Sequence, residues 1–195
     1  KEEIICGNVH KKLKGKHKSL LTILIPRHID RTAEIVNQIK KLNLKIHLHS
    51  SNNKINKDTD VYLVDSFGQT KSFFKICKTV FLGGSIIKHG GQNPLEAARL
   101  GCKVLHGPNV WNFSEIYNLL KRNKVSSKVT NLIQLTYEID KVFNNKNKNK
   151  NLKIKIKIKS LGNKMNRPIF LPNIPKFVLK TIMGDRSQLI LDSRQ

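Results

Sequence analysis

Cysteines, acids and aromatics are all scarce in this chain, and each scarcity removes a class of explanation. Only Cys6, Cys77 and Cys102 occur among 195 residues. They are far apart, odd in number and form no CxxC pair, so they make no disulfide framework and read as the reduced thiols of a cytoplasmic protein. No run approaches the roughly 20 apolar residues of a membrane span, and no charged stretch leading into an apolar run resembles a signal peptide. Membrane contact is therefore expected to be peripheral. Aromatic residues make up 6% of the chain, sparse for a surface that stacks on bases. His10, His17, His47 and His49 show no ligand spacing backed by carboxylates or cysteines, so no metal is expected.

What the chain has in excess is lysine. There are 37 Lys and Arg against 13 Asp and Glu, a formal charge of +24, which suggests an anionic partner. The excess is unevenly placed: residues 1–143 carry 24 basic against 11 acidic groups, and residues 144–195 carry 13 against 2. Nearly half of it lies outside the region described next.

Apolar runs at residues 20–25, 44–48, 61–64, 79–82 and 103–106 are short and rich in Ile, Val and Leu, which predicts strands. Between them lie helical patterns. Residues 32–42 place Ile35, Val36, Ile39 and Leu42 on one side, and residues 114–121, capped by Asn112 or Ser114, bury Ile116, Leu119 and Leu120. Residues 130–143 repeat Leu132, Leu135, Ile139 and Phe143 at helical spacing. Apolar strands alternating with amphipathic helices indicate an α/β, Rossmann-like parallel sheet with flanking helices. In such sheets ligands collect beyond the carboxyl ends of the strands, where three islands begin: Pro26-Arg27-His28, Asp65-Ser66-Phe67-Gly68 and Gly83-Gly84-Ser85.

The most specific segment is GGSIIKHGGQNPLEAARLGCKVLHGP, residues 83–108. Gly83 and Gly84, then Gly90 and Gly91, leave a strand and lead to a helix start at Asn93-Pro94, with Glu96 completing a capping-box pattern. Glycine lets backbone amides approach a ligand, and a helix start favours an anion. The bland reading is two tight turns and a cap. The spacing of the pairs favours a cradle for a phosphate or sugar acid, with Ser85 as a hydroxyl donor and Lys88 and His89 as neighbouring cations.

These islands, with IPRH at residues 25–28, DSFG at 65–68, GGQNPLEAA at 90–98 and HGPNVWNF at 106–113, run in order over residues 1–128. Together they closely resemble the donor-binding C-terminal half of the bacterial 3-deoxy-D-manno-octulosonic acid (Kdo) transferases, glycosyltransferases of the GT-B type. The resemblance implies a donor-binding part that serves transfer of Kdo from CMP-Kdo to a lipid A precursor in lipopolysaccharide biosynthesis, with no further cofactor. It implies that Glu96 holds the ribose hydroxyls, that Asn93 and nearby amides face the phosphate, and that Phe67 and Gly68 lie near the cytosine. Arg27 is expected to take a phosphate or carboxylate bidentately, with His28 and Gln92 auxiliary. His106, Gly107, Pro108, Asn109 and Asn112 shape the next loop. The family's catalytic base lies in an N-terminal domain, so no catalytic residue is assigned and the chain alone is expected to be inactive. It is expected at the cytoplasmic face of the inner membrane, as a peripheral fragment.

The expected organisation is a nucleotide-sugar-binding domain at residues 1–143, a Lys/Asn/Ile-rich linker at 144–160 and an appended segment at 161–195. That appendage, with Arg167-Pro168, Pro172, Pro175 and Gly184-Asp185, resembles the C-terminal segment of an epimerase-like short-chain dehydrogenase family. Two other readings stand beside the main one. A basic nucleic-acid-binding module explains the lysines but not the ordered loops, so nucleic acid is not the expected partner. A UDP-sugar donor keeps the fold and changes the base.

Overall fold

The computed structural model describes residues 2–144; the expected linker from residue 145 and the appendage at 161–195 lie outside the described residues. The described residues divide into two compact units, residues 2–70 with 130–142, and residues 71–129 with 143 and 144.

In the first unit, β1 (Thr22–Leu24), β2 (Ile46–Leu48) and β3 (Val61–Leu63) form a parallel sheet in the order β1-β3-β2. All three residues of β3 are buried, as the central position requires. Its partners are in register, Thr22 and Ile46 both facing Val61. Helix α2 (Thr32–Lys40) follows a 3-10 turn at Ile29–Arg31 and buries Ile35 and Ile39 completely; Val36 and Leu42 pack beside them. This is the face that the spacing of its apolar residues predicts. Helix α1 (Glu2–Lys14) has no such clear stripe. It packs through Gly7, where a Cβ would stand 2.6 Å from Leu42 Cδ1 and 3.0 Å from Ile39 Cδ1. Helix α6 (Leu132–Asn144) buries Leu135, while Leu132 and Ile139 are half-buried and Phe143 is exposed. Its start is capped by Asn131, whose Oδ1 accepts from Gln134 N, while Gln134 Oε1 accepts from Thr130 N, one residue before the cap.

The second unit repeats the plan. Strands β4 (Thr79–Leu82), β5 (Lys103–His106) and β6 (Ser126–Lys128) pair in parallel in the order β4-β5-β6. Helices α3 (Thr70–Ile76), α4 (Leu95–Arg99) and α5 (Ser114–Arg122) accompany them. Leu82, Ala97, Ala98, Cys102, Val104, Tyr117, Leu120 and Val125 form one core cluster. Two details of α5 correct the sequence reading. Tyr117 rather than Leu119 joins Leu120 in the core, and neither Asn112 nor Ser114 caps the helix. The 3-10 turn Trp111–Phe113 runs directly into α5, and the Asn112 side chain is packed elsewhere. Parallel strands with flanking helices in both units make the fold Rossmann-like α/β.

Candidate functional site

In the first unit the islands lie beyond the carboxyl ends of their strands, where parallel sheets present residues to ligands. Arg27 and His28 are exposed after β1, and neither side chain is hydrogen-bonded among the described residues. After β3, Asp65 clamps the next turn to the end of β2. Its Oδ1 accepts the Ser50 N–H at 2.8 Å and its Oδ2 accepts the Ser50 hydroxyl at 2.5 Å. Burial works to raise the Asp65 pKa, but the two Ser50 bonds outweigh it and hold the carboxyl below its ordinary value. That turn presents Phe67, 72% exposed, followed by Gly68 at φ +79° with open space around it. A large aromatic side chain left so bare offers an apolar face for a planar group.

In the second unit, residues 83–92 form the loop between β4 and α4. Gly84, Gly90 and Gly91 all have positive φ, so the chain reverses direction at positions that L side chains resist. The second glycine pair has a packing role of its own. A Cβ on Gly90 would lie 2.1 Å from Asn112 Nδ2, and one on Gly91 would lie 2.9 Å from Val110 Cγ1. These glycines let the loop pack against residues 106–113. Gly91 N also donates to Gly84 O at 2.9 Å, closing the loop on itself.

Ser85 is a second correction. Its residue is fully buried, and its hydroxyl donates to Leu82 O at 2.6 Å while accepting from Gly107 N at 2.8 Å. The hydroxyl expected to serve a ligand instead fastens the two loops together. Gly107 is required by the same contact, because its Cβ would fall 2.1 Å from Ser85 O. Asn109 completes the lock, with its N donating to Ser85 O and its Nδ2 to Ile86 O, both at 2.8 Å. Gly107 and Asn109 thus hold the loop after β4 in place. Lys88 and His89 stand exposed at its tip.

Asn93 Oδ1 accepts the Leu95 N–H at 3.0 Å, so the predicted cap is present one residue outside the helix boundary. Glu96, in the first turn of α4, is exposed, and its carboxylate makes no hydrogen bond among the described residues. The reach back to Asn93 that a full capping box needs is therefore unused. Its acceptor sites face solvent. A depression of about 300 Å³ lies on the same unit, lined by Asn112 to Ile116. Sequence reasoning missed Ser50 and Tyr117, whose hydroxyl donates to Gln92 O at 2.9 Å. Both act through partners 15 and 25 residues away, which no local pattern announces.

Among the described residues no group of His, Cys, Asp and Glu is arranged to hold a metal, and no helix is long and apolar enough to cross a membrane. No protein-family model matches the chain. Individual relatives do. The chain is 37% identical over 119 residues to a 3-deoxy-D-manno-octulosonic acid transferase of Haemophilus influenzae, covering 61% of this chain and 28% of that protein. It is 34% identical over 140 residues to a transferase of the same name from Rickettsia felis, covering 70% and 30%. A probable mitochondrial counterpart in Arabidopsis thaliana is 30% identical over 148 residues, covering 74% and 33%. The chain thus spans about a third or less of the length of these relatives. Among solved structures, the C-terminal CMP-Kdo binding domain of WaaA from Acinetobacter baumannii superposes with a TM-score of 0.75 at 24% identity, covering 82% of each chain. By sequence the chain is a homologue of the 3-deoxy-D-manno-octulosonic acid transferases, and its fold is that of the C-terminal domain solved from Acinetobacter baumannii.

Proposed function

We propose that this chain is the donor-binding part of a glycosyltransferase that moves Kdo from CMP-Kdo to a lipid A precursor. The observation that carries the reading is the 37% identity to a Kdo transferase over 119 residues, supported by the exposure of Arg27, Phe67 and Glu96. Glu96, solvent-facing on α4, accepts from the two ribose hydroxyls. Phe67 lies against the cytosine, and Gly68 leaves room beside it. Arg27 pairs with the phosphate or the sugar carboxylate, where a guanidinium fork fits two oxygens at once. Lys88 adds a cation and His89 a polar ring at the tip of the glycine loop, with His28 and Gln92 auxiliary.

The chemistry assigned to these residues is positioning and charge stabilisation. Transfer breaks the bond between the sugar and the CMP phosphate, so negative charge grows on the leaving phosphate. Fixed cations and amides aimed at that charge lower the barrier without reorganising. Gly83, Gly84, Gly90 and Gly91 serve by holding the loop in shape, with Ser85 as its brace. Asn93 orders the first turn of α4. The acceptor hydroxyl also needs a base, and that group is assigned to the part of the relatives this chain does not span. The acceptor is met at the cytoplasmic face of the inner membrane, where the lysine excess favours an anionic surface.

Titration with CMP, UMP and single-stranded RNA at two salt concentrations tests the reading. It predicts selective CMP binding that falls about tenfold or more in Glu96→Ala, the scale of losing hydrogen bonds to a charged group. Tight RNA binding that collapses with salt and ignores Glu96→Ala would replace it with the nucleic-acid module.

A further inference from the structure

The contact between Tyr117 and Gln92 has no place in the donor contacts above, yet it reaches the segment that carries them. Tyr117 is 2% exposed in the middle of α5, inside the core of the second unit. Its ring lies 4.3 Å from that of His106, centroid to centroid, at an interplanar angle of 46°. Its hydroxyl donates to the backbone carbonyl of Gln92 at 2.9 Å. Gln92 immediately precedes Asn93, whose side chain holds the Leu95 N–H, and Glu96 follows one residue later. A phenol buried this deeply must keep its hydrogen bond, because an unpaired hydroxyl in an apolar setting is costly. The packed ring of α5 therefore tethers the chain three residues before α4 begins.

We propose that Tyr117 is a positioning residue for nucleotide binding: its hydroxyl, anchored by the core, fixes the Gln92 carbonyl and through it the direction in which Glu96 points. This rests on the donor-binding reading. The geometry suits the task. Helix α4 has only five residues, and the chain enters it through Gly90 and Gly91, both at positive φ. The Tyr117 hydroxyl ties this run of chain to the rigid core at residue 92. Phenylalanine at 117 keeps the ring and its packing but releases the carbonyl.

The test compares Tyr117→Phe with Val125→Ala, a substitution in the same core cluster between α5 and β6 that removes no hydrogen bond to Gln92. Without ligand, the Leu95 amide is expected to exchange with deuterium several-fold faster in Tyr117→Phe than in Val125→Ala. With CMP as the probe, affinity is expected to fall about three- to tenfold in Tyr117→Phe, the scale of one hydrogen bond, and to stay at the wild-type value in Val125→Ala. The loss should disappear when both proteins also carry Glu96→Ala, because Tyr117 acts through that residue. Unchanged Leu95 exchange, or CMP affinity that tracks stability alone in both variants, overturns the proposal. Failure of the wild-type chain to bind CMP instead overturns the donor reading and leaves the exchange result to decide on Tyr117. Should Tyr117→Phe not fold, exchange in the wild-type chain decides: residues 92–98 and 114–120 are expected to gain protection together on adding CMP, and protection of the first segment alone contradicts the coupling.

Discussion

Single atoms decide the loop. Gly107 has no room for a methyl group because Ser85 O would lie 2.1 Å from it, and that oxygen belongs to backbone that cannot swing aside. Gly107→Ala is expected to destabilise the fold by about 3 kcal/mol, the upper part of the range for overpacking a tight site. Chemical denaturation measures it, and a loss under about 1 kcal/mol would show that the two loops separate easily. His10 is the second residue-scale device. Fully buried, it places Nδ1 2.9 Å from Thr22 Oγ1 and Nε2 3.2 Å from Asp60 Oδ1, while Lys14 Nζ reaches the same Asp60 oxygen at 2.9 Å. Burial pushes the His10 pKa down from its ordinary 6.5, more strongly than Asp60 pulls it up. The folded chain thus prefers neutral His10, and the unfolded chain takes up its proton first as pH falls. The stability is whole above about pH 6.5 and is lost as pH drops below it. Urea midpoints at pH 7.5 and 5.5 should show this loss, and His10→Gln should flatten it; an equal slope in both proteins would exclude His10 as the cause.

At the scale of elements, the parts that local pattern could reveal are those whose burial follows a simple period. Strands β1 to β5 fall inside the five apolar runs, and α2 buries Ile35 and Ile39 as their spacing predicts. Strand β6 reads Ser-Ser-Lys and carries no apolar signal, because it pairs along one edge of β5 and leans on Val125 and Val129 beside it for burial. Helix α1 hides for a different reason: its close contact is made by Gly7, the residue a sequence reader takes for a helix breaker. The Asn93 cap was legible because capping is local. The uses of Ser85 and Tyr117 were not, since their partners arrive from 22 and 25 residues away. Leu120→Ala tests the core these elements share. It removes a side chain 3% exposed and is expected to cost about 3 kcal/mol, with CMP affinity retained; a loss under about 1 kcal/mol would place α5 outside the folding core.

Across the whole molecule, charge and fold point to different partners, and the ordered loops favour the fold. The formal charge of +24 ensures that the chain will meet polyanions, but such contacts are spread over solvated lysines and vanish with salt. A nucleotide held through Glu96 would be far less sensitive to salt, because that contact is to uncharged ribose hydroxyls. Raising salt from 50 to 300 mM is therefore expected to abolish most RNA retention while weakening CMP binding only a few-fold. Equal salt sensitivity for both would mean that CMP binds only as one more anion. The relatives are between three and four times as long as the stretch matched here.

The most direct test of the account is a crystal structure of the chain with CMP bound. It predicts the ribose hydroxyls within hydrogen-bond distance of the Glu96 carboxylate. A nucleotide that leaves Glu96 untouched, or crystals grown in saturating CMP that hold none, would contradict it.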